Sequence, residues 1–449
     1  MTRIFGHYIS VEMVVLWAVE LVLCFFLICL LLAADPHLST FGIHPENLSQ
    51  AAIIALTICL TSGAIGLYRP EACQPTRQFL LNMALAGALA LPVIIAVGAA
   101  LGASAGDTVA ERLSWVSKVL AGWMLCLLVT RAIFGLATRL QLFERRMLVV
   151  AAGEDGARQA VEARKGGFFR LAGMISADEF AATAPEQLLR HRIWGIVVAS
   201  SARGVIAPDD LLRCKCRGIR LIRDVDFHEQ QLGRVDLERL PADWLAFADG
   251  FSCGWCALAW RRLGDIAISS TLLFLTLPLM LLAALLIKLE SPGPTLYSQM
   301  RVGLQGRPFR LFKFRSMVEN AETAVPAWAA QRDARVTRVG RFIRLTRIDE
   351  LPQLLNVLRG EMSFIGPRPE RPHFVAQLAQ ALPRYDDRHF VKPGLTGWAQ
   401  VNYPYGASVE DARMKLTYDL YYVKHRSFFL DLLILLATVR VILFQEGSR

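Results

Sequence analysis

The chain has 449 residues; 54% are apolar and only 20% charged, and the mean hydropathy is positive. That balance excludes a disordered chain, a collagen-like chain and a small disulfide scaffold, and it points to membrane contact, because an ordinary soluble domain is about a quarter charged. The formal net charge of +10 is unevenly placed: residues 1–140 hold seven Lys/Arg and seven Asp/Glu, so the whole excess lies later, where it favours lipid head groups, phosphorylated substrates or nucleic acid.

Four apolar stretches come first, at roughly 11–33, 51–68, 79–101 and 113–137. Each is about long enough to cross a hydrocarbon core of ~30 Å at ~1.5 Å per residue. The first is too long for a cleaved signal peptide and lacks a small-residue cleavage site, so an anchor is expected. Lys118 and Arg131 fall near the ends of the fourth, where long side chains can snorkel. The 34–50 loop has no Lys or Arg and the 102–112 loop has Arg112 beside Asp107 and Glu111, whereas Arg69 and Arg77 lie in the second connection and Arg139, Arg145 and Arg146 follow the fourth stretch. Both ends of this bundle are therefore expected on the cytoplasmic side.

From Met147 the pattern changes. β-like runs at Met147–Ala152, Phe169–Ile175, Ile193–Ala199 and Ile219–Ile222 alternate with helical segments near Pro185–Arg192 and Asp209–Arg217, which predicts a parallel sheet of Rossmann-like type. Ala151-x-Gly153-x-x-Gly156 is a dinucleotide fingerprint without its first glycine, so a loop serving the fold alone is the plainer reading. Asp224-Val-Asp226 after a β run fits either the metal-binding pair of a nucleotide-sugar glycosyltransferase or a simple cap. Cys214-x-Cys216 and Cys253-x-x-Cys256 have loose spacing and no accompanying His, which favours reduced thiols over zinc.

Residues 266–287 form a run of 22 without charge, with Pro278 in the middle, Arg261 and Arg262 before it and Lys288 after. Proline removes a backbone donor, and basic residues at both flanks give no sidedness. The expectation is a helix of about 264–290 that enters one leaflet, breaks near Leu277-Pro278 and returns; an ordinary span is the alternative. Basic residues then dominate. Arg332, Arg335, Arg338, Arg341, Arg344 and Arg347 recur at every third position. Such a spacing drifts by about 60° per step on a helix, so the six cannot share one face. No nucleic-acid-binding motif accompanies them, and no nucleic-acid partner is expected.

Pro352 belongs in a first helical turn, so a helix is predicted to start near Asp349. An acid there is a good cap. The same place also favours phosphate, and a carboxylate nucleophile beside Glu350 and several Arg makes a phosphoryl-transfer centre. In that reading Asp349 attacks phosphorus and Glu350 helps to hold magnesium; capping and catalysis both remain open on these residues alone.

Five ordered motifs carry a resemblance: Lys313-Phe-Arg-Ser-Met317, Asp349-Glu350-Leu-Pro-Gln-Leu-Leu-Asn-Val-Leu-Arg-Gly360, Gly366-Pro-Arg-Pro369, Lys392-Pro-Gly-Leu-Thr-Gly-Trp-Ala-Gln400 and Tyr418-Asp-Leu-Tyr-Tyr-Val-Lys424. With them, residues 261–449 resemble the bacterial sugar transferase family, the monotopic polyprenyl-phosphate glycosyl-1-phosphate transferases. The whole chain resembles the large members that start exopolysaccharide or O-antigen synthesis. RIFGHYIS and VNYPYGAS resemble the exopolysaccharide subgroup found with PEP-CTERM sorting systems.

The resemblance implies a mixed α+β membrane protein of three parts: a four-helix transmembrane bundle over 1–140, a Rossmann-like α/β cytosolic domain over 141–250, and a mainly α monotopic catalytic domain over 251–449 with a re-entrant helix. It implies transfer of sugar-1-phosphate from a UDP-sugar to undecaprenyl phosphate, with release of UMP. Asp349 would be the nucleophile, with Glu350 beside it and Mg2+ on the pair. Arg344, Arg368, Arg301, Lys313 and Arg315 would bind phosphates, and Thr396, Trp398, Gln400 and Asp419 would lie near the nucleotide or sugar. Pro278 would mark the membrane-helix break. The chain would sit in a bacterial inner membrane among its lipids, as a homodimer, with the middle and catalytic domains on the cytoplasmic face. The 428–444 stretch would be a membrane-surface helix, with core packing as the alternative. Two rivals are a membrane glycosyltransferase using Asp224 and Asp226, which would release UDP, and a non-catalytic polysaccharide-assembly scaffold.

Overall fold

The computed structural model describes residues 2–4, 7–9, 11–33, 45–68, 77–100, 109–151, 169–202, 204–238, 240, 244–245, 250, 254–318, 335–403, 406 and 408–443. Gly153 and Gly156 of the fingerprint, the 157–164 helix, Cys73, Cys253, Arg332 and part of each subgroup stretch lie outside them. The chain forms two compact units, Met1–Thr2 with Ile9–Gln231 and Arg3–Tyr8 with Leu232–Arg449. At the start of the chain, β1 (Thr2–Ile4) pairs with β2 (His7–Ile9).

The first unit opens with α1 (Val11–Ala33), α2 (Pro45–Ala64), α3 (Arg77–Ala100) and α4 (Val109–Arg139). Cys24 and Ile28, Ile54 and Ile58, Ala86 and Ala90, and Val119 and Trp123 contribute to one shared core. Phe26, Leu30, Ile53, Ile95 and Ile133 face outward. Apolar residues on both faces suit a lipid surround. Glu12–Leu31 and Leu113–Arg139 are long and apolar enough to cross a membrane, whereas α2 and α3 carry the shorter apolar runs Leu48–Gly63 and Asn82–Ala96. Arg131 does not snorkel. It is 1% exposed, its Nη2 lies 3.5 Å from Glu20 of α1, and its guanidinium sits 5.0 Å above the Tyr68 ring. Thr130 donates to the other Glu20 oxygen at 2.7 Å. An acid offered by α1 is a better partner than a distant head group, because an unpaired buried charge is costly.

After these helices, β3 (Arg145–Val150), β4 (Phe169–Ile175), β5 (Ile193–Val198) and β6 (Arg220–Arg223) form one sheet of order β4-β3-β5-β6 with every pair parallel. Met147–Val150 is buried on both faces, as a central strand requires. The connections hold α5 (Ala177–Ala182), α6 (Pro185–Arg190) and α7 (Pro208–Cys216), and α8 (Asp224–Leu232) follows β6. Ser176 and Glu179 close a capping box on α5.

The main segment of the second unit runs from Leu232, and Val235, Leu237 and Trp244 are buried in its core with Leu416, Leu420 and Tyr421. Its longest element is α9 (Trp255–Glu290), 36 residues with Pro278 inside. The expected break at Leu277-Pro278 is corrected here: the helix is continuous. Proline deletes a single donor, and the rest of the ladder tolerates that loss as a bend. Both ends of α9 are bonded to the same unit. Near its start, Arg262 donates to the carbonyls of Val357 and Leu358 at 2.6 Å each, and Asp265 accepts from Ser363 and from the amide of Phe364. Near its end, Ala283 and Ile287 pack on Phe314, Ile343 and Ile348. The outward face leaves Phe274, Leu275, Leu281, Leu285 and Leu289 exposed.

The hairpin β7 (Leu296–Val302) and β8 (Pro308–Phe314) follows, then α10 (Arg338–Leu345), a 3-10 turn at Ile348–Gln353 and α11 (Leu354–Arg359). β9 (Ser363–Ile365) pairs in parallel with β10 (Gly394–Thr396), with α12 (Pro372–Ala381) between them. Helices α13 (Trp398–Asn402), α14 (Val409–His425) and α15 (Phe428–Leu443) close the unit. One face of α15 buries Leu430 and Ile434 in the core while Phe428, Val439 and Ile442 stay exposed, so it packs and presents an apolar surface at once.

Candidate active site

The centre is built on the joint between α10 and α11. Thr337 caps α10 by accepting from the Gly340 amide, and Glu290, at the end of α9, accepts from the amides of Arg338 and Val339. Gly340 lies so close to the Ser316 carbonyl that a Cβ there would sit 2.1 Å from its oxygen. That approach seats α10 against the strand end and lets Arg344 Nε donate to Ser316 Oγ at 2.8 Å. Arg347 then adopts φ 60°, ψ 13°, a left-handed conformation that bulky residues adopt at a cost. This turn starts the short 3-10 segment and delivers Asp349 and Glu350 together.

Asn356 fixes this helical run to the hairpin. Its side chain accepts from the Phe312 amide and donates to the Arg310 carbonyl and to Glu361. The alternation of β8 then aims Lys313 at the acid pair. Glu350 Oε1 accepts from Lys313 Nζ at 2.9 Å and from Arg368 Nη2 at 2.7 Å. Burial alone would raise the Glu350 carboxyl, but Arg368, Lys313 and Arg347 more than reverse it and hold it well below its ordinary range. Asp349 is buried yet engaged by no hydrogen bond or ion pair among the described residues. Burial, and then the charge of Glu350, raise its carboxyl against the opposing pull of Lys313, Arg344 and Arg368. The pair is therefore split into one clamped, ionised acid and one unclamped acid facing three cations. That arrangement offers an oxygen nucleophile beside groups able to neutralise phosphate.

Arg368 is itself held in place. Arg388 donates to the Arg368 carbonyl at 2.7 Å, pairs with Asp419 at 2.8 Å and reaches the Tyr385 hydroxyl at 2.7 Å. Burial pushes the Asp419 carboxyl up to about 6 despite Arg388. Arg301 donates to the Pro369 carbonyl and lies 3.4 Å from Glu370, so it braces the same loop.

The structure thus brings Asp349, Glu350, Lys313, Arg344 and Arg368 together, with Arg301 and Asp419 behind them. Other expected site residues have different partners. Arg315 donates to the carbonyls of Ser291 and Pro292, capping the end of α9. Thr396 shares a hydrogen bond with Thr438 of α15, Trp398 donates to the Gly233 carbonyl, and Gln400 donates to the Leu395 carbonyl. Pro278 lies within α9. Arg388 and Asn356 were not singled out by the sequence. Asn356 stood inside a motif, but a buried amide serving two backbone groups gives no signal until the hairpin is folded beside it.

The other acidic pair has a structural task. Asp224 accepts from the amide and hydroxyl of Ser200 and from the Val225 amide, and Asp226 pairs with Arg223 at 2.5 Å. Among the described residues no group of three or more His, Cys, Asp or Glu is placed to hold a metal ion. The donor chemistry of Asp349 and Glu350 nonetheless fits a magnesium ion, which commonly takes one or two carboxylates and completes its shell with water and substrate phosphates.

Residues 256–445 match the family described as bacterial sugar transferase. The chain is 47% identical over 222 residues to a UDP-N-acetylgalactosamine-undecaprenyl-phosphate N-acetylgalactosaminephosphotransferase of Aeromonas hydrophila, covering 49% of each chain. It is 33% identical over 374 residues to an undecaprenyl-phosphate glucose phosphotransferase of Komagataeibacter xylinus, covering 76% of this chain and 67% of that one. It is 46% identical over 190 residues to a UDP-glucose:undecaprenyl-phosphate glucose-1-phosphate transferase of Caulobacter vibrioides, covering 42% of this chain and 71% of that one. The chain spans about half the length of the first of these relatives. It belongs to the bacterial sugar transferase family.

Proposed function

We propose that this protein transfers sugar-1-phosphate from a UDP-sugar to undecaprenyl phosphate, releasing UMP, as the first membrane step of exopolysaccharide or O-antigen synthesis. One observation carries the reading: Asp349 is buried and unclamped, while its neighbour Glu350 is bonded to Lys313 and Arg368. A cap or an ion pair would have engaged Asp349; a nucleophile must keep its oxygen available.

In the proposed reaction an Asp349 oxygen attacks the phosphorus that bears the sugar. The bond from that phosphorus to the bridging oxygen breaks, UMP leaves with its electron pair, and an aspartyl-phosphosugar remains. An oxygen of undecaprenyl phosphate then attacks the same phosphorus and releases the Asp349 carboxylate. Arg344, Arg368 and Lys313 offset the negative charge that would otherwise repel each attack. Asp349 and Glu350 would hold magnesium, which when bound supplies further neutralisation of the phosphates.

The same reading makes α9 monotopic. Arg262 and Ile287, near opposite ends of the helix, are both fixed to the second unit, which supports one side of the membrane for both ends. The apolar outward face would enter one leaflet, bent at Pro278, and keep Asp349 at head-group depth on the cytoplasmic face. The bundle of the first unit would supply four spans, and its parallel sheet a Rossmann-like cytosolic domain. The acids Asp224 and Asp226, bonded to Ser200 and Arg223, give no support to a glycosyltransferase centre.

Purified protein in lipid, supplied with undecaprenyl phosphate, magnesium and a panel of UDP-sugars that includes glucose and N-acetylgalactosamine donors, should release UMP with at least one of them. Release of UDP, or no nucleotide with any donor, contradicts the proposal. Single cysteines placed before Arg261 and after Lys288 in a cysteine-free background should both react with an impermeant thiol reagent only in inverted vesicles. Labelling of one from each side would make α9 a span.

A further inference from the structure

The foot of α9 gathers more positive charge than its carboxylates use. Arg261 pairs with Asp431 at 2.7 Å, and Tyr422 donates to that same acid. Arg262 is committed to the Val357 and Leu358 carbonyls at the end of α11. Asp265 accepts from Ser363 and the Phe364 amide. That leaves Lys392 and Arg426, both half-buried and engaged by no hydrogen bond or ion pair among the described residues. The Arg426 Nε is buried and orphaned. Lys392 Nζ and Arg262 Nη2 converge on Gly360: a Cβ built there would lie 3.7 and 3.5 Å from them. Burial lowers the Lys392 ammonium, the like charges of Arg262 and Arg426 lower it further, and only Asp265 opposes them. Arg261, Arg262, Lys392 and Arg426 thus share only the carboxylates of Asp265 and Asp431, and an anion from outside the chain would offset the excess charge.

The surroundings identify the source of that anion. Trp255 and Trp260, on the first turns of α9, and Phe428, two residues beyond Arg426, are 84%, 72% and 80% exposed. Aromatic side chains at this density around a basic cluster match the boundary between head groups and acyl chains. A free phosphate ion would gain nothing from them. The reacting lipid phosphate belongs elsewhere, because Asp349 opens the helical run that Gly360 closes, and the two ends are roughly 20 Å apart at 1.5–2.0 Å per residue.

We propose that Lys392 and Arg426, with Arg262 behind them, hold the phosphate of one anionic glycerophospholipid at the foot of α9, a site separate from the reacting centre. The site rests on the monotopic reading of α9, since a head group must be within its reach. Lipid retention can be read without turnover, so a failure here is distinguishable from a failure of the proposed reaction.

The test is native mass spectrometry of the full chain in detergent, after titration with phosphatidylglycerol or phosphatidylcholine. The wild type should retain one phosphatidylglycerol in preference to phosphatidylcholine, and millimolar inorganic phosphate should not displace it. Lys392→Met with Arg426→Met should lower that preference on the order of tenfold or more. Lys392→Arg should keep it. Removing two exposed cations of α10, by Arg338→Met with Arg341→Met, should also keep it. Equal retention by wild type and the Lys392/Arg426 variant overturns the site, as does equal loss in the α10 variant, which would make the attraction diffuse. Displacement by inorganic phosphate overturns the lipid assignment. If the double variant fails to fold, Lys392→Met alone is read: a reduced preference supports the site, and an unchanged one overturns it.

Discussion

Asp224 and Asp226 in the first unit, and Asp349 and Glu350 in the second, all stand at or near the start of a helical segment beside arginine. In sequence each pair fits both capping and metal-assisted chemistry. Their surroundings differ. Both acids of the first pair are engaged, Asp224 by Ser200 and a backbone amide, and Asp226 by its neighbour Arg223. In the second pair the clamp falls on Glu350 alone, and Asp349 is buried toward cations that do not touch it. Whether an acid is chemically available is decided by how many donors reach it, and the donors that clamp Glu350 come from other elements of the fold.

The largest expected effect separates the pairs outright. Asp349→Asn should lower UMP release on the order of 10³-fold or more while the protein still folds and enters the membrane. Asp224→Ala should leave turnover nearly unchanged and lower the stability of its own unit by about 1–3 kcal/mol, because the Ser200 amide and hydroxyl lose their acceptor. Near-normal turnover in the Asn variant, measured on purified protein, would erase the distinction. A smaller loss is expected for Arg368→Ala, about 10²-fold in kcat/KM, since it removes one charge-assisted phosphate contact and half of the Glu350 clamp. Kinetics matching the wild type at low substrate would reduce Arg368 to a surface charge.

Next in size is the support behind the site. Arg388 is buried and reaches Arg368 through its backbone carbonyl while it is anchored on Asp419 and Tyr385, so Arg388→Lys should cost about tenfold in kcat/KM by loosening that loop, with kcat and KM both affected. An unchanged KM would argue against a positioning role. The smallest effect is in pH dependence. Both Asp349 and Asp419 have carboxyls raised above the ordinary range, the latter to about 6. Activity should therefore fall as the solution is acidified, with the Asp419 part of the loss near pH 6, so the acid limb lies at higher pH than ordinary carboxylates give. Stability should move the other way for Asp419. Its folded-state value lies above the unfolded one, so the folded chain binds the proton more tightly, and this group's contribution improves as pH falls from above 6 toward 4. An Asp419→Asn variant whose acid limb stays unchanged would remove Asp419 from the account.

Much of this was readable before folding. The apolar stretches, the β runs at 169–175 and 193–199, the helix start near Asp349 and the acid pair all announce themselves through period, length and proline position. Residues whose role depends on distant partners were less readable. The resemblance implied a phosphate ligand at Arg315, yet the chain carries it to the carbonyls that end α9. Thr396, Trp398 and Gln400 share one motif, and their hydrogen bonds go to α15, Gly233 and the local backbone. Arg131 was expected to snorkel because it lies near the end of its apolar stretch; its partner, Glu20, lies more than a hundred residues away. Pro278 suggested a break because local geometry disfavours proline in a helix, but the single missing donor leaves α9 intact.

The central claim is that the Asp349 oxygen forms a bond to the sugar-bearing phosphorus. The most direct measurement omits undecaprenyl phosphate, mixes the protein with magnesium and an active UDP-sugar, quenches rapidly, and examines the peptides by mass spectrometry. The account predicts a burst of UMP of about one per protein and a sugar-phosphate adduct on the peptide that contains Asp349, absent from Asp349→Asn. No burst and no adduct, with full turnover once lipid is added, would mean direct transfer between the two phosphates and would contradict the assignment of Asp349 as nucleophile.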